Sequence, residues 1–338
     1  MIVGPVDSGK SSLTCYLART LVQAGVPTAV VDADVGQSDI GPPACIGMGM
    51  AEKPPQTLGD IRPSALYFVG DVSPDGYLVD MALGTQAMVR RAQAAGAKAV
   101  VVDTTGSVYG PAARRLKEAT VEAIGADYLV VIGDEGSLGH LLAAWRGRTK
   151  PEVWLVKRPA EARVRSRVER RNKRALDFSR YFEAGGPAEV AWEELWMKGG
   201  FLGAGRRLED AERRRCEELL QCPVLHGERF SGSVWLVVEG FFSKQGLDQV
   251  KREMSVAYVG LVRASAFHGL LVGLGDANGQ TVGLGIVEAV AWHERRLTLW
   301  AVPAGYRPQG LCLGRVRISR TGEELGRLSP GDLGGAGA

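Results

Sequence analysis

The most constraining feature of this sequence is its opening, Met-Ile-Val-Gly-Pro-Val-Asp-Ser-Gly-Lys-Ser-Ser. Gly4, Gly9, Lys10 and Ser11 fill the fixed positions of the phosphate-binding loop pattern G-x-x-x-x-G-K-[ST]. In such a loop the backbone amides point at an anion, the lysine reaches the β- and γ-phosphates, and the hydroxyl ligates Mg²⁺. The pattern therefore predicts a nucleotide site with these members: Gly4, Asp7, Ser8, Gly9, Lys10, Ser11 and Ser12.

The residues around this loop predict an α/β fold. A short apolar strand at 2–3 precedes the loop, and a helix with leucines at 13, 17 and 21 follows it and ends near Gly25. Further strands are predicted at 28–31, 65–69, 99–102, 128–132 and 153–156, with helices at 85–95, 111–124 and 138–145. A Pro- and Gly-rich stretch, 41–55, is predicted to be irregular and to lie on the surface. This alternation indicates a P-loop NTPase with a parallel sheet and helices on both faces.

The alternation stops near residue 185, which predicts a second domain. A charged helix is expected at 208–220, and short strands are expected at 234–238, 269–274, 282–287, 296–302 and 313–318. Strands at this spacing indicate a compact β domain such as a small barrel. We therefore predict a P-loop domain at 1–185, a smaller, mostly-β C-terminal domain at 186–330, and a disordered tail at 331–338.

Composition limits the class of protein. The 338 residues carry a net charge of only +3, so a nucleic-acid partner would have to meet a local basic patch. The five cysteines include no C-x-x-C pair, which favours the reducing cytoplasm over a disulfide framework or a zinc site. No apolar run approaches the length of a membrane span, so no membrane partner is expected.

Two carboxylates follow predicted strands and would meet the loop at one edge of the sheet. Asp34 comes just after the second strand, where it could accept a proton from an attacking hydroxyl or hold the metal through water. Asp103 ends a strongly apolar strand, the usual position of a Mg²⁺ ligand in this fold. Ser11, Asp34 and Asp103 are thus the predicted metal-binding residues, and helix capping is the alternative role for both aspartates.

An arginine-dense run at 157–182 follows the last predicted strand of the first domain. Its apolar stripe is too thin for a core helix, and a solvated helix face is the simplest interpretation of such a run. The run, however, leaves the sheet beside the predicted phosphate site. This position favours a mobile lid whose arginines cover the transferred phosphate.

Four elements in one order resemble a known family. They are Gly-Pro-Val-Asp-Ser-Gly-Lys-Ser-Ser at 4–12, Asp-Ala-Asp-Val-Gly-Gln at 32–37, Thr-Thr-Gly at 104–106, and the arginine run ending Arg-Tyr-Phe at 180–182. They resemble the polynucleotide 5′-hydroxyl kinases related to the pre-mRNA cleavage factor kinase, the rRNA-processing kinases and their archaeal relatives. The C-terminal segments are also similar, so the resemblance covers the whole chain.

The resemblance implies ATP-dependent phosphorylation of the 5′-hydroxyl end of RNA, and sometimes of DNA. Lys10 and Asp34 would be catalytic, with Asp34 as the general base. The R-x-x-x-x-R spacing of the family's lid falls on Arg158 and Arg163, the other predicted catalytic residues. The acceptor end would be held by a further set: Gln37, Thr104, Thr105, Gly106 and Arg167. Whether the protein has protein partners is left open.

A different class of protein remains an alternative. The segments Val-Val-Asp-Ala-Asp and Val-Val-Asp-Thr-Thr-Gly also occur in P-loop ATPases and GTPases that act as switches or assembly proteins. Such proteins hydrolyse nucleotide to change partners and need no arginine-dense lid. The run at 157–182 therefore favours the kinase.

Overall fold

The computed structural model describes residues 1–230, 232–329 and 332–333. The chain forms two compact units, Met1–Phe178 and Ser179–Ala338. The division falls inside the arginine-rich run, a few residues before the position at which the sequence pattern changes. Apart from Asp332 and Leu333, the tail predicted at 331–338 lies outside the described residues.

The first unit contains seven strands and the predicted alternation of strands and helices. The strands are β1 Ile2–Val3, β2 Thr28–Ala33, β3 Cys45–Met50, β4 Ala65–Phe68, β5 Ala99–Thr104, β6 Tyr128–Ile132 and β7 Glu152–Val156. The helices are α1 Lys10–Gln23, α2 Leu78–Ala94, α3 Gly110–Ile124, α4 Glu135–Leu142 and α5 Arg167–Phe182, the last of which continues into the second unit. Strand β2 pairs in parallel with β5, and β1, β6 and β7 are parallel in that order.

Helices cover both faces of these strands, as the sequence predicts. Ile2 packs in a cluster with Val101, Val130 and Ile132, against which the leucines of α1 lie. Val3 points to the opposite side, where the core includes residues of α2, α3 and α4 such as Met88. Because successive side chains of a strand point to opposite faces, the two-residue strand β1 contributes to both cores. The phosphate-binding loop therefore begins from a fully anchored strand.

The stretch predicted to be irregular and exposed at 41–55 contains a buried strand, so that prediction is wrong. Strand β3 pairs antiparallel with β2 and β4, and the sheet is therefore mixed rather than wholly parallel. Glycines 47 and 49 weaken the sequence signal of a strand. Packing requires them: a Cβ on Gly47 would lie 1.7 Å from the carbonyl oxygen of Ile40, and one on Gly49 2.4 Å from that of Arg62.

The second unit is mostly β, as predicted, but its described strands form two sheets rather than one barrel. Strands β10 Arg206–Arg207, β11 Val224–Phe230, β12 Ser233–Val238 and β13 Tyr258–Arg263 form one sheet. The other contains β8 Gly186–Ala191, β9 Trp196–Lys198, β14 Leu270–Gly275, β15 Thr281–Ala291, β16 Arg296–Val302, β17 Gly310–Ile318 and β18 Glu324–Arg327. Helices α6 Asp210–Leu220 and α7 Lys244–Glu253 complete the unit.

The two helices explain why the second unit is not a simple barrel. Leu220 of α6 and Val250 of α7 pack in one cluster with Val234 and Leu236 of β12. Val237, on the opposite face of β12, packs into the core of the larger sheet. Strand β12 is therefore buried on both faces, as its unbroken apolar sequence requires. No helix among the described residues has the length and apolar character needed to cross a bilayer.

Candidate active site

The phosphate-binding loop connects β1 to α1, and two of its glycines are fixed by geometry. Gly9 has φ +93°, a left-handed conformation that disfavours residues with a Cβ, and α1 begins at the next residue. A Cβ on Gly4 would lie 2.6 Å from the Oγ of Ser8 and 2.9 Å from the carbonyl oxygen of Ile132. The loop thus needs glycine both where it leaves the strand and where it enters the helix.

Lys10 and Ser11 lie in the first turn of α1. The buried ammonium of Lys10 donates a hydrogen bond to the carbonyl oxygen of Pro5 at 2.8 Å. The Ser11 hydroxyl lies close enough to the carboxylate of Asp103 to oppose the rise of its pKa. The Oγ of Ser8 is buried without a hydrogen-bond partner among the described residues. Since buried polar atoms are normally paired, this orphaned hydroxyl is consistent with a bound anion that completes the loop.

The turn after β2 is held by a carboxylate that the sequence analysis did not single out. Asp32 accepts hydrogen bonds from the backbone N–H groups of Asp34 at 3.0 Å, Asp39 at 2.6 Å and Ile40 at 3.0 Å. Asp34, predicted to be the catalytic base, accepts hydrogen bonds from the backbone N–H groups of Gly36 and Gln37. Asp32 therefore shapes the turn, and the turn orients Asp34.

Parallel pairing places Asp32 directly opposite Asp103, so two buried carboxylates meet at one sheet edge. Burial, together with the charges of Asp103 and Asp39, raises the pKa of Asp32 well above its ordinary value. Burial also raises the pKa of Asp103 to about 6, against the effect of the Ser11 hydroxyl and the Lys10 charge. The charged forms of these two carboxylates are therefore disfavoured, and a nearby cation would stabilise them.

The predicted metal-binding residues fit Mg²⁺ held largely by water and phosphate. The described residues contain no group of three or more His, Cys, Asp or Glu side chains arranged to hold a metal ion. The Ser11 hydroxyl and the carboxylates of Asp34 and Asp103 nonetheless supply oxygen atoms at the end of the loop. Mg²⁺ commonly binds through one or two carboxylates, several waters and substrate phosphates rather than a full protein cage.

The residues of the Thr-Thr-Gly segment at 104–106 differ in role: the first is structural, and the other two line a cavity. The hydroxyl of Thr104 is buried and donates to the carbonyl oxygen of Ile2 at 2.8 Å, which ties β5 to β1. Thr105 instead accepts two hydrogen bonds from the ammonium of Lys117 on α3. A Cβ on Gly106 would lie 2.5 Å from the side chain of Val6, so only glycine lets this segment approach the phosphate-binding loop.

Residues of the arginine run contact the loop through Asp7. One oxygen of its carboxylate, Oδ2, accepts the backbone N–H of Arg165 at 2.9 Å and a guanidinium hydrogen bond from Arg170 at 3.1 Å. The amide nitrogen of Gln37 donates to the carbonyl oxygen of Arg170 at 3.1 Å, and its Oε1 is buried without a partner among the described residues. The run is therefore anchored to both the phosphate-binding loop and the turn after β2.

These elements enclose a cavity of about 450 Å³. Its lining includes five cationic side chains, Lys10, Arg163, Arg165, Arg170 and Arg174, against three carboxylates, Asp7, Asp34 and Glu161. The excess of positive charge, together with the loop amides, makes the cavity an anion site. The remaining lining residues are Val6, Gly9, Ser11, Ser12, Gly36, Gln37, Val72, Ser73, Pro74, Thr105, Gly106, Ser107 and Ala162.

The predicted site residues are distributed unevenly around this cavity. Ten of them line it: Asp7, Gly9, Lys10, Ser11, Ser12, Asp34, Gln37, Thr105, Gly106 and Arg163. Gly4, Ser8, Asp103 and Thr104 lie behind its wall and are buried. Arg158 and Arg167 are exposed and are not part of the lining. The R-x-x-x-R spacing of Arg170 and Arg174 on α5 is the sequence signal that would have identified the additional cavity arginines.

The Asp7 contacts generate a prediction about the mobility of the run. Asp7 has φ +58°, which asparagine tolerates, so Asp7→Asn removes the charge without backbone strain. Weakening the hydrogen bonds to Arg165 and Arg170 should release the run and speed its tryptic cleavage between 158 and 174 roughly three-fold or more. Asp127→Asn, which breaks an exposed ion pair with Lys150, is the matched control. Equal cleavage of all three proteins would contradict the anchoring role.

Comparison with known proteins places the chain in a family. Residues 4–184 match the family described as mRNA cleavage and polyadenylation factor CLP1 P-loop. A polyribonucleotide 5′-hydroxyl-kinase of Pyrococcus furiosus is 31% identical, with 97% of this chain and 90% of that relative covered. A polyribonucleotide 5′-hydroxyl-kinase of Thermococcus kodakarensis is 34% identical, with 98% and 92% covered.

A solved structure agrees at the level of the fold. Clp1p in a wild-type Clp1p–Pcf11p complex superposes with a TM-score of 0.59 at 12% identity, over 94% of this chain and 73% of that one. Three observations point to the same family: the family match, the relatives that cover nearly the full chain, and a phosphate-binding loop in an α/β fold. This chain belongs to the CLP1 P-loop family.

Proposed function

We propose that this protein is an ATP-dependent polynucleotide 5′-hydroxyl kinase that phosphorylates RNA ends. The observation that carries the proposal is one cavity whose lining contains Lys10, Asp34 and arginines of the run at 157–182. Phosphoryl transfer requires phosphate-binding amides, a lysine, a carboxylate near the nucleophile and mobile cations, and these groups meet here. The names of the archaeal relatives support the same activity.

In this proposal the phosphates of ATP lie over the loop from Gly4 to Ser12, with Lys10 on the β- and γ-phosphates. When bound at Ser11, Asp34 and Asp103, Mg²⁺ would neutralise charge on the phosphate oxygens. The 5′-hydroxyl oxygen attacks the γ-phosphorus, the bond between this phosphorus and the β,γ-bridging oxygen breaks, and ADP leaves. The hydroxyl proton passes to the carboxylate of Asp34, which the turn after β2 holds at the cavity wall.

The arginine run supplies the cations that cover the transferring phosphate. A guanidinium can bind two phosphate oxygens at once, which suits the spread charge of the transition state. Arg163 and Arg170 line the cavity and are paired with carboxylates, at 2.5 Å to Glu169 and 3.1 Å to Asp7. Phosphate oxygens would replace those carboxylates when ATP and the acceptor bind. Arg158 and Arg167 are assigned to the exposed part of the same lid.

The acceptor end is assigned to three residues of the cavity lining, Gln37, Thr105 and Gly106. Thr104, next to Thr105, is buried and bonded to β1. Tyr109, a candidate for stacking on the first base, is exposed and stacks on His140 at a centroid distance of 6.1 Å. The five free cysteines agree with a cytoplasmic location, which we include in the proposal.

The first experiment measures transfer of labelled γ-phosphate from ATP to matched 5′-hydroxyl RNA and DNA oligonucleotides. We expect label at the 5′ end, dependent on divalent metal and lost by a factor of at least about 100 in Lys10→Ala. Nucleotide hydrolysis that ignores the acceptor would instead indicate a switch or assembly ATPase. Absence of any turnover in the intact protein would contradict both activities.

Asp34→Asn tests the general base. The amide keeps the shape and can still accept the hydrogen bonds from Gly36 and Gln37, but it cannot take up the hydroxyl proton. We expect the single-turnover transfer rate to fall by about 100-fold or more while ATP affinity changes little. Asp75→Asn, an exposed loop aspartate, is the control for a change of charge. A normal transfer rate in Asp34→Asn would remove the base assignment.

Alanine substitution tests the lid arginines. Arg163→Ala and Arg170→Ala should each slow single-turnover transfer by about 100-fold, with a smaller effect on ATP binding, because their charge is needed most in the transition state. Lys157→Ala removes an exposed charge at the start of the same run and should change the rate less than about three-fold. If all three variants behave alike, the arginines act only through overall charge.

A further inference from the structure

Lys117 is the most deeply buried cation of the first unit that the proposed mechanism does not use. It lies on α3, behind the Thr-Thr-Gly segment, with 2% of its surface exposed. Its ammonium donates to the backbone carbonyl oxygen of Thr105 at 2.8 Å and to the hydroxyl oxygen of the same residue at 3.1 Å. Within the described part of the chain, these are its hydrogen bonds.

This arrangement is a poor way to stabilise a fold. Burial, followed by the positive charge of Lys10, lowers the pKa of Lys117 to about 7, which means that its environment disfavours the charged form. No salt bridge to Lys117 occurs among the described residues, and the more distant charges of Asp34 and Asp103 offset only part of that cost. An apolar side chain of similar length would fill the same space without desolvating an amine. The lysine therefore serves something other than packing.

The chemistry of the Thr105 hydroxyl suggests what that is. A hydroxyl has one hydrogen to donate and two lone pairs that accept. In its ammonium form Lys117 has only donors, so its hydrogen bond then occupies a lone pair of Oγ1 and turns the hydroxyl hydrogen away from the ammonium. The second hydrogen bond, to the carbonyl oxygen of Thr105, fixes the backbone of the same residue. Thr105 lines the cavity, whereas Lys117 does not.

We propose that Lys117 is a positioning residue that holds the Thr105 hydroxyl as a hydrogen-bond donor to the first internucleotide phosphate of the 5′-hydroxyl acceptor. The inference rests on the proposed kinase function. It adds the residue that makes the Thr105 hydroxyl a donor, rather than an acceptor, in its contact with the acceptor strand. Lys117 itself does not touch the substrate. Its effect passes through one residue, Thr105, so its removal should weaken acceptor binding far more than ATP binding.

The test combines two substitutions with two acceptors. Lys117→Met keeps the volume and removes the ammonium, and Thr105→Val keeps the shape and removes the hydroxyl. The acceptors are 5′-hydroxyl oligonucleotides that carry either a phosphodiester or a methylphosphonate at the first linkage. We expect Lys117→Met to raise the KM of the phosphodiester acceptor about ten-fold or more, with little change in the KM of ATP. The methylphosphonate acceptor should lose much less.

A double-mutant cycle separates action through Thr105 from a general structural effect. Once Thr105→Val is in place, adding Lys117→Met should change the KM of the acceptor less than two-fold, because the hydroxyl it orients is gone. Multiplied losses in the double variant would overturn the proposal, as would an equal rise in the KM of ATP. Arg115→Met, an exposed cation on the same helix, controls for loss of charge.

Two measurements keep the result clear if Lys117→Met does not fold or if the protein is not a kinase. Thr105→Val, with the lysine intact, must lose affinity for the phosphodiester acceptor, and Thr105→Ser must retain most of it. Equal affinity of Thr105→Val and the unmodified protein would overturn the proposal. Binding of a non-reactive 5′-deoxy oligonucleotide, followed by fluorescence anisotropy, needs no transfer. A protein that binds this probe through Thr105 but labels no 5′ end would refute the kinase and retain the contact.

Discussion

The parallel pairing of β2 with β5 is the constraint on which the site depends. It sets Asp32 opposite Asp103 at the point where both strands end, and both carboxylates are buried. Two anions so placed repel one another unless each has partners. Asp32 accepts hydrogen bonds from backbone N–H groups of the following turn, and Asp103 accepts one from the backbone N–H of Thr104. The hydrogen bonds to Asp32 thus fix the turn that carries Asp34.

Side-chain hydrogen bonds hold the Thr-Thr-Gly segment that follows β5 in place. Thr104 continues β5 for one residue beyond Asp103, and its hydroxyl bonds to the backbone of β1. The next residue, Thr105, is held from the other side by Lys117. The Thr-Thr-Gly segment is therefore fastened at two successive residues, to β1 and to α3, and Gly106 permits its close approach to the phosphate-binding loop. A binding wall fastened in this way loses little entropy when a ligand arrives.

The sequence predicted the frame of the site well and its inner contacts poorly. Glycine, lysine and serine at fixed spacing identify the loop because each performs a task that other residues cannot. Periodicity likewise located β5 and α3, which are long and regular. Strand β3 was not predicted because it contains two glycines, which are typical of loops. They are needed here for the close approach of Ile40 and Arg62. The roles of Asp32 and Lys117 depend on partners distant along the chain, which local pattern does not reveal.

The register of the arginines shows a different limit. Arg158 and Arg163 have the spacing expected directly after β7. The chain is irregular from there to the start of α5, so the spacing of two arginines in this segment does not predict where their side chains lie. On the helix itself, Arg170 and Arg174 are one turn apart and both reach the cavity. Periodicity is informative only where the backbone is regular. A charge run is best interpreted after its helical part has been identified.

The cations around the cavity fall into two classes by the partners they hold. Lys10 bonds a neutral carbonyl oxygen, Arg163 bonds Glu169, and Arg170 bonds Asp7, all at groups that a phosphate oxygen can replace. Exchanging one oxygen partner for another changes the hydrogen-bond count little, so these side chains can move onto a ligand at small cost. Lys117 is buried and its partner is the wall itself. This contact leaves no oxygen for a ligand to replace, in keeping with the positioning role that we propose for Lys117.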